Sequence, residues 1–236
     1  MSKPPHIDRK SLKNPDVFVQ KGRHWLLDFE KYQTKLVPLL LGGLVLVIAG
    51  YGYQWWQRTA VEKSWRAYHE ATKQVDAAKW EAMKNLVEKQ SRTRATFFAA
   101  VELADHGFDE AKKALLKDST QVPAGLEDVV KWYSKALEFS AILPSEKQLL
   151  LINRASAYEM QKKLEEAERD LKTAQELGQE LKGLALLNAA RILELKNDKP
   201  KAIETYEKVA ADFLNTEYAK MAKNHARRLK SPSFNN

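Results

Sequence analysis

LLLINRASAYEMQKKLEEAERDLKTAQEL, residues 149–177, is followed closely by LALLNAARILELKNDKPKAIETYEKVAADF, residues 184–213. Aligning Ala155 with Ala190 sets an offset of 35 residues. The same offset pairs Leu151 with Leu186, Asn153 with Asn188, Tyr158 with Leu193, Ala167 with Ala202, Leu171 with Tyr206 and Ala174 with Val209. Self-similarity at such a period marks a repeat array, in which each unit buries its apolar face only against its neighbours. Inside each unit the apolar residues recur at helical spacing, interrupted by polar turns at Gln161–Leu164 and Lys196–Lys199. Each unit therefore predicts an antiparallel helix pair. Two such helices approach closely only where neither carries a bulky side chain, and Ala155 with Ala167, and Ala190 with Ala202, supply that twelve-residue pairing of small side chains.

This spacing resembles the tetratricopeptide repeat (TPR) family, where a small residue of the first helix faces a small residue of the second. An all-α fold follows, a TPR-like α-solenoid; a non-repeating helical bundle is the alternative left open. Working outward, residues 95–118 predict a looser helical hairpin with Ala99 and Ala111 in register and a turn at Asp105-His106-Gly107. Residues 126–144 read as one long helix, after a break containing Pro123 and Gly125. Helices are expected over about Thr59–Val75 and Ala77–Lys89, and a basic helix from about Thr216 to Lys230 caps the stack. Alternating β-branched runs bounded by turn dipeptides do not occur.

Upstream, LVPLLLGGLVLVIAGYGYQWWQ, residues 36–57, carries no charge. At about 1.5 Å per residue its helix spans a hydrocarbon core of about 30 Å. Leu36, Leu41, Leu46 and Ile48 are its apolar body, while Trp55 and Trp56 join Tyr51 and Tyr53 in an aromatic belt suited to the headgroup region. The bulky aromatics sit where a signal peptidase needs small residues, which favours an anchor over a cleaved leader. Residues 1–35 hold eight Lys/Arg and four Asp/Glu, and this positive leader places the N-terminus in the cytoplasm and the large segment outside. Trp25, Leu26, Phe29 and Tyr32 fit an amphipathic helix entering the membrane or a plain extension of the anchor. The expected divisions are a flexible basic tail at 1–22, a juxtamembrane and transmembrane helix at 23–57, the repeat domain at 58–230 and a disordered tail at 231–236.

With 39 Lys/Arg against 31 Asp/Glu the net charge is +8, about half of it in the leader and the rest dispersed, unlike the concentrated stripe of a nucleic-acid binder. There is no cysteine, so disulfides and thiolate chemistry are excluded. His6, His24, His69, His106 and His225 are scattered, with no metal-ligand spacing, and no nucleophile elbow or phosphate loop occurs. No catalytic residue, metal or cofactor is expected. In a helical-repeat stack the first helices line the concave face that recognises other proteins, and the register points Ser156, Glu159, Arg191 and Glu194 toward it.

The order of features is also specific: a basic leader, WLLDFEKYQTK (25–35), an anchor ending in GYGYQWWQ (50–57), SWRAYHEAT (64–72), then the hairpins. It resembles a bacterial family of membrane-anchored TPR proteins, the ancillary subunits of the Sec translocon. That resemblance implies a single-pass protein of the inner membrane with a periplasmic array, whose partners are translocon components, a periplasmic chaperone or exported clients. The longer leader and the Pro144-Ser145 break depart from the family's pattern. Two other readings stay open: a scaffold in another envelope assembly, or an anionic lipid or nucleic-acid surface formed by the leader or by Lys220, Lys223, Arg227, Arg228 and Lys230.

Overall fold

The computed structural model describes residues 17–90, 92–118 and 121–231, with side chains from Val37 onward. Among the described residues there are nine helices and no strand: α1 (Val17–Thr72), α2 (Asp76–Lys89), α3 (Arg94–Lys117), α4 (Leu126–Leu137), α5 (Pro144–Met160), α6 (Leu164–Leu177), α7 (Lys182–Leu195), α8 (Lys199–Asp212) and α9 (Glu217–Lys230). The chain divides into two units, Met1–Arg58 and Thr59–Asn236.

Within the first unit, α1 is already helical from Val17, where the sequence reads a flexible tail to residue 22; residues 1–16 lie outside the described residues. Pro38 falls inside this helix and removes one backbone donor there. From Val37 onward this helix is long and apolar enough to cross a membrane, and none of that apolar window is buried. Leu41, Leu46, Ile48, Trp55 and Trp56 are all exposed, Leu46 by 75% and Trp55 by 70%. The side chain of Leu36 lies outside the described residues.

The second unit is a series of antiparallel helix pairs with three successive cores. Helices α2, α3 and α4 enclose Met83, Leu86, Phe97, Leu103, Trp132 and Tyr133, with Ala67, Tyr68 and Ala71 of α1 packed on them. Leu151, Ala155, Ala167, Leu171, Ala174, Ala185 and Ile192 join α5, α6 and α7. Leu187, Ala190, Ala202, Tyr206, Val209, Ala222 and Ala226 join α7, α8 and α9. The four alanines of the register, Ala155, Ala167, Ala190 and Ala202, are buried to 2% exposure or less. Each helix thus shares cores with the helices before and after it, as a solenoid requires.

The two clearest hairpins turn identically. Lys162 and Asn197, related by the 35-residue offset, both take the left-handed conformation (φ 61° and 63°). Lys163 N–H then donates to Tyr158 C=O and Asp198 N–H to Leu193 C=O, each at 2.9 Å. This is the bonding of a Schellman helix end. Pro200 follows in the first turn of α8, where its missing N–H has no intrahelical partner to lose. Gln148, fully buried on α5, locks the crossing between repeats: its amide donates to Ala174 C=O (2.8 Å) and Gly178 C=O (2.9 Å), and its carbonyl accepts from Leu181 N–H (3.4 Å).

Three expectations are corrected. Residues 95–118 are not a hairpin, because α3 runs unbroken through Asp105-His106-Gly107. Gly107 serves packing there: a Cβ on it would lie 2.8 Å from Val129 Cγ2 of α4, so its hydrogen lets that helix come close. The true partner of α3 is α4, and Ala99 and Ala111 are both buried on the same helix rather than opposed across a turn. Residues 126–144 are not one helix either. The residue before proline is driven to an extended conformation, Leu143 adopts it (φ −68°, ψ 150°), and Pro144 opens α5 instead of ending α4. Finally, the helix expected over about Thr59–Val75 ends at Thr72.

Candidate partner-binding face

Helices α5, α7 and α9 occupy equivalent places in successive repeats, and α7 touches both of the others. Polar side chains link them. Glu159 of α5 meets Arg191 of α7 at 2.7 Å, and Arg191 also donates to Asn188 Oδ1 at 2.9 Å. One turn on, Glu194 of α7 accepts from Arg228 of α9 at 2.5 Å and from the Tyr206 hydroxyl of α8 at 3.3 Å. Of the residues the sequence assigned to this face, three therefore belong to a repeat-to-repeat ladder. Ser156 stands apart from it, half-buried, its hydroxyl donating to Ile152 C=O at 3.1 Å.

The ladder is electrostatically lopsided. The Glu159 and Glu194 side chains retain 20% and 21% exposure, whereas Arg191 and Arg228 retain 43% and 59%. The carboxylates are thus largely covered and the guanidiniums form the rim that an incoming molecule would meet. Burial pushes the Glu159 carboxyl above its ordinary range, and the charge and hydrogen bond of Arg191 work against that rise. Burial also pushes the Tyr206 phenol upward, reinforced by the Glu194 carboxylate. Arg191 commits Nη2 to Glu159 and Asn188, and its Nε is buried without a partner among the described residues, while its side chain stays 43% exposed. A planar guanidinium fork suits carboxylates and backbone carbonyls of a peptide.

Beside Arg191, between α7 and α9, lies a cleft of about 260 Å³, with Leu184, Leu187 and Met221 among its apolar walls and Tyr206, Tyr218 and His225 as its rings. His225 stacks on Tyr206, centroids 5.0 Å apart, and this fixes the cleft's floor. The volume accommodates one or two apolar side chains of an extended segment. Sequence reasoning took α9 as a basic cap, or as a cationic surface for lipid or nucleic acid, and missed the cleft. The available signal was the recurrence of Tyr218, Met221 and His225 at helical spacing on the stripe beside the cations.

Deeper in the array, the paired charges are structural. Arg154 and Asp170 form a two-pronged contact, both bonds 2.7 Å, and Arg154 also donates to Ser134 Oγ at 2.8 Å. This ties α4, α5 and α6 together and leaves little of either side chain exposed. Tyr133 donates to Asp105 at 2.6 Å, and burial pushes its phenol well above the ordinary tyrosine range. Thr93 caps α3 and donates to Ser64 of α1 at 2.7 Å.

The fold and this face define a TPR-like helical-repeat protein, a description that rests on the array's own 35-residue recurrence and hairpin turns. Among solved structures, the chain is similar to a Podosopora anserina chain of kinesin-light-chain, nearly identical TPR-like repeats (TM-score 0.45, 13% identity, covering 73% of this chain and 84% of that one). It is also similar to the Sgt2 TPR domain from Aspergillus fumigatus (TM-score 0.38, 21% identity, covering 53% of this chain and 77% of that one). No protein-family model and no curated protein sequence matches the chain.

Proposed function

We propose that this chain is a membrane-tethered protein–protein interaction module without catalytic activity. Its place is the inner membrane, with the N-terminus in the cytoplasm and the array in the periplasm. There it serves as an accessory of protein export, contacting translocon components, a periplasmic chaperone or exported clients. The observation that carries the tether is the uncharged stretch 36–57, whose described apolar and aromatic side chains find no cover in the protein. The α5–α7–α9 face supports the docking role, since an arginine rim beside an apolar cleft matches an extended segment with one or two apolar anchors. Tethering raises the effective concentration of that face for partners in the same membrane and so compensates for modest intrinsic affinity.

The partner is proposed to meet the face marked by Ser156, Glu159, Arg191 and Glu194, with Arg191 in direct contact and the two carboxylates holding the rim arginines in place. A photo-crosslinking residue in place of Leu195, exposed at the end of α7, tests this in native membranes. The expected products are adducts with export-machinery proteins. Swapping the pair, Glu159→Arg with Arg191→Glu, preserves the inter-repeat attraction and inverts the rim, so adducts should fall while thermal stability holds. Unchanged adducts in the swapped chain would remove this face from the proposal. Adducts confined to another envelope assembly would move the reading to a scaffold there.

A further inference from the structure

The far side of α9 has properties that the ladder face does not explain. Helix α5 packs between α4 and α6, and α7 between α6 and α8, whereas among the described residues no helix follows α9. Its inner stripe, Ala219, Ala222 and Ala226, is buried, while Lys220, Lys223, Arg227 and Lys230 are exposed. Their spacing of three, four and three residues puts all four cations on one stripe. Beside that stripe, between α8 and α9, runs an open groove of about 700 Å³ with Ala210, Ala211 and Ala226 as its floor and Lys223, Arg227, Lys230, Glu207 and Ser231 around its rim.

The charges on this rim are only partly neutralised internally. Lys230 is paired with Glu207, Lys220 with Glu217 (2.6 Å), and Arg228 is turned away to Glu194. Lys223 and Arg227 make no ion pair among the described residues. A helix that merely solvates the end of a stack needs a polar outer face of either sign. Like charges one turn apart cost about 0.2–0.5 kcal/mol per pair, and Lys223 with Arg227 is such a pair. Solvation alone does not call for that arrangement, whereas an anionic occupant removes its cost. The alanine floor admits a close-packed backbone, as Ala155, Ala167, Ala190 and Ala202 do inside the array. A lipid surface, by contrast, is met by apolar side chains projecting from a helix beside its cations; the exposed apolar residue of α9, Met221, belongs instead to the α7/α9 cleft with Tyr218 and His225.

We propose that the α8/α9 groove takes an acidic helical segment of a partner protein, laid along α9 with carboxylates on Lys223 and Arg227 and small residues on Ala210, Ala211 and Ala226. This rests on the reading of the chain as an interaction module, and it adds a second surface of stated partner chemistry to the ladder face. The test uses the full chain in zwitterionic detergent. The probe is a fluorescein-labelled 14-residue helical peptide, with glutamates at every fourth position and alanines on the adjacent stripe, read by fluorescence anisotropy beside its glutamine counterpart.

The glutamate peptide is expected to bind at least tenfold more tightly than the glutamine one. Lys223→Glu with Arg227→Glu should weaken binding at least tenfold. Ala211→Trp, which fills the groove from an exposed position and leaves every charge in place, should do the same, circular dichroism confirming an intact helical array in each variant. Binding that responds to the charge reversal and ignores Ala211→Trp would reduce the groove to a diffuse positive field and overturn the proposal. Tighter capture of phosphatidylglycerol vesicles or of an oligonucleotide than of the peptide would overturn it as well. Crosslinking at Leu195 does not involve this groove, so the two readings stand or fall separately.

Discussion

Gly107→Ala is the substitution whose sign depends most directly on the packing described above. In the middle of α3 the change removes glycine's conformational freedom in the unfolded chain and adds about 1 kcal/mol of helix propensity. If residues 105–107 formed a solvent-exposed turn, nothing would oppose a change at this position sterically. In the fold, however, the new methyl carbon lands 2.8 Å from Val129 Cγ2. Carbon atoms rest at about 3.5–4.0 Å, so α3 and α4 must part by roughly 1 Å at a residue that is 1% exposed. Overpacking of this kind costs about 1–3 kcal/mol. Subtracting the propensity gain leaves a net destabilisation of about 1 kcal/mol, or about 2–4 °C in Tm for a domain of this size. Val129→Ala removes the obstructing methyl groups, so in that background Gly107→Ala should stabilise by about 1 kcal/mol. The assay is a double-mutant cycle by urea unfolding of the full chain in detergent, followed by circular dichroism at 222 nm. The expected coupling is about 2 kcal/mol. If Gly107→Ala stabilises both backgrounds equally, the close approach of α3 to α4 is not real.

Three further outcomes follow from individual contacts. Asp170→Ala leaves the Arg154 guanidinium buried without its carboxylate and should lower unfolding free energy by about 3–5 kcal/mol, measured in the same urea assay. Lys162→Gly relieves a side chain held at φ 61° and should stabilise by about 1 kcal/mol, whereas the same change at Asn197, a residue that tolerates this conformation, should gain much less. The Arg94 hydrogen bond, helped by the Leu143 N–H, holds Glu146 below its ordinary value of 4.5 in spite of partial burial. Its folded value therefore lies under its unfolded one, so its stabilisation is present above pH 4.5 and fades as pH falls through the folded value. A Tm-against-pH comparison should show wild type above Glu146→Gln at neutral pH and the two curves converging on acidification, and parallel curves would contradict the sign.

The contrast between α3 and α5 shows why part of this fold was legible and part was not. At Lys162 and Asn197 the turn is set locally, by helix-end bonding within six residues, and so the hairpins of 149–213 could be placed from their spelling. At Gly107 the same residue type that ends helices elsewhere sits inside one, and only the neighbouring Val129 explains it. The assigned face shows the same division. Register alone put Glu159, Arg191 and Glu194 on the first helices, yet nothing local reveals that Glu159 pairs with Arg191 or that Glu194 belongs to Arg228. The cleft at Tyr218, Met221 and His225 needs α7 and α9 side by side, and so it was missed.

By itself the sequence determined what depends on neighbours along the chain: helical periodicity, the small-residue pairs at twelve positions, and an uncharged stretch long enough to span a bilayer. The tertiary structure alone decided which charges are covered and which are offered, where α3 finds its partner, and that α9 keeps a cationic side open beside an alanine groove. The reason is physical: propensity and periodicity act over one or two helical turns, whereas burial, ion pairing and clefts are created when segments tens of residues apart come into contact.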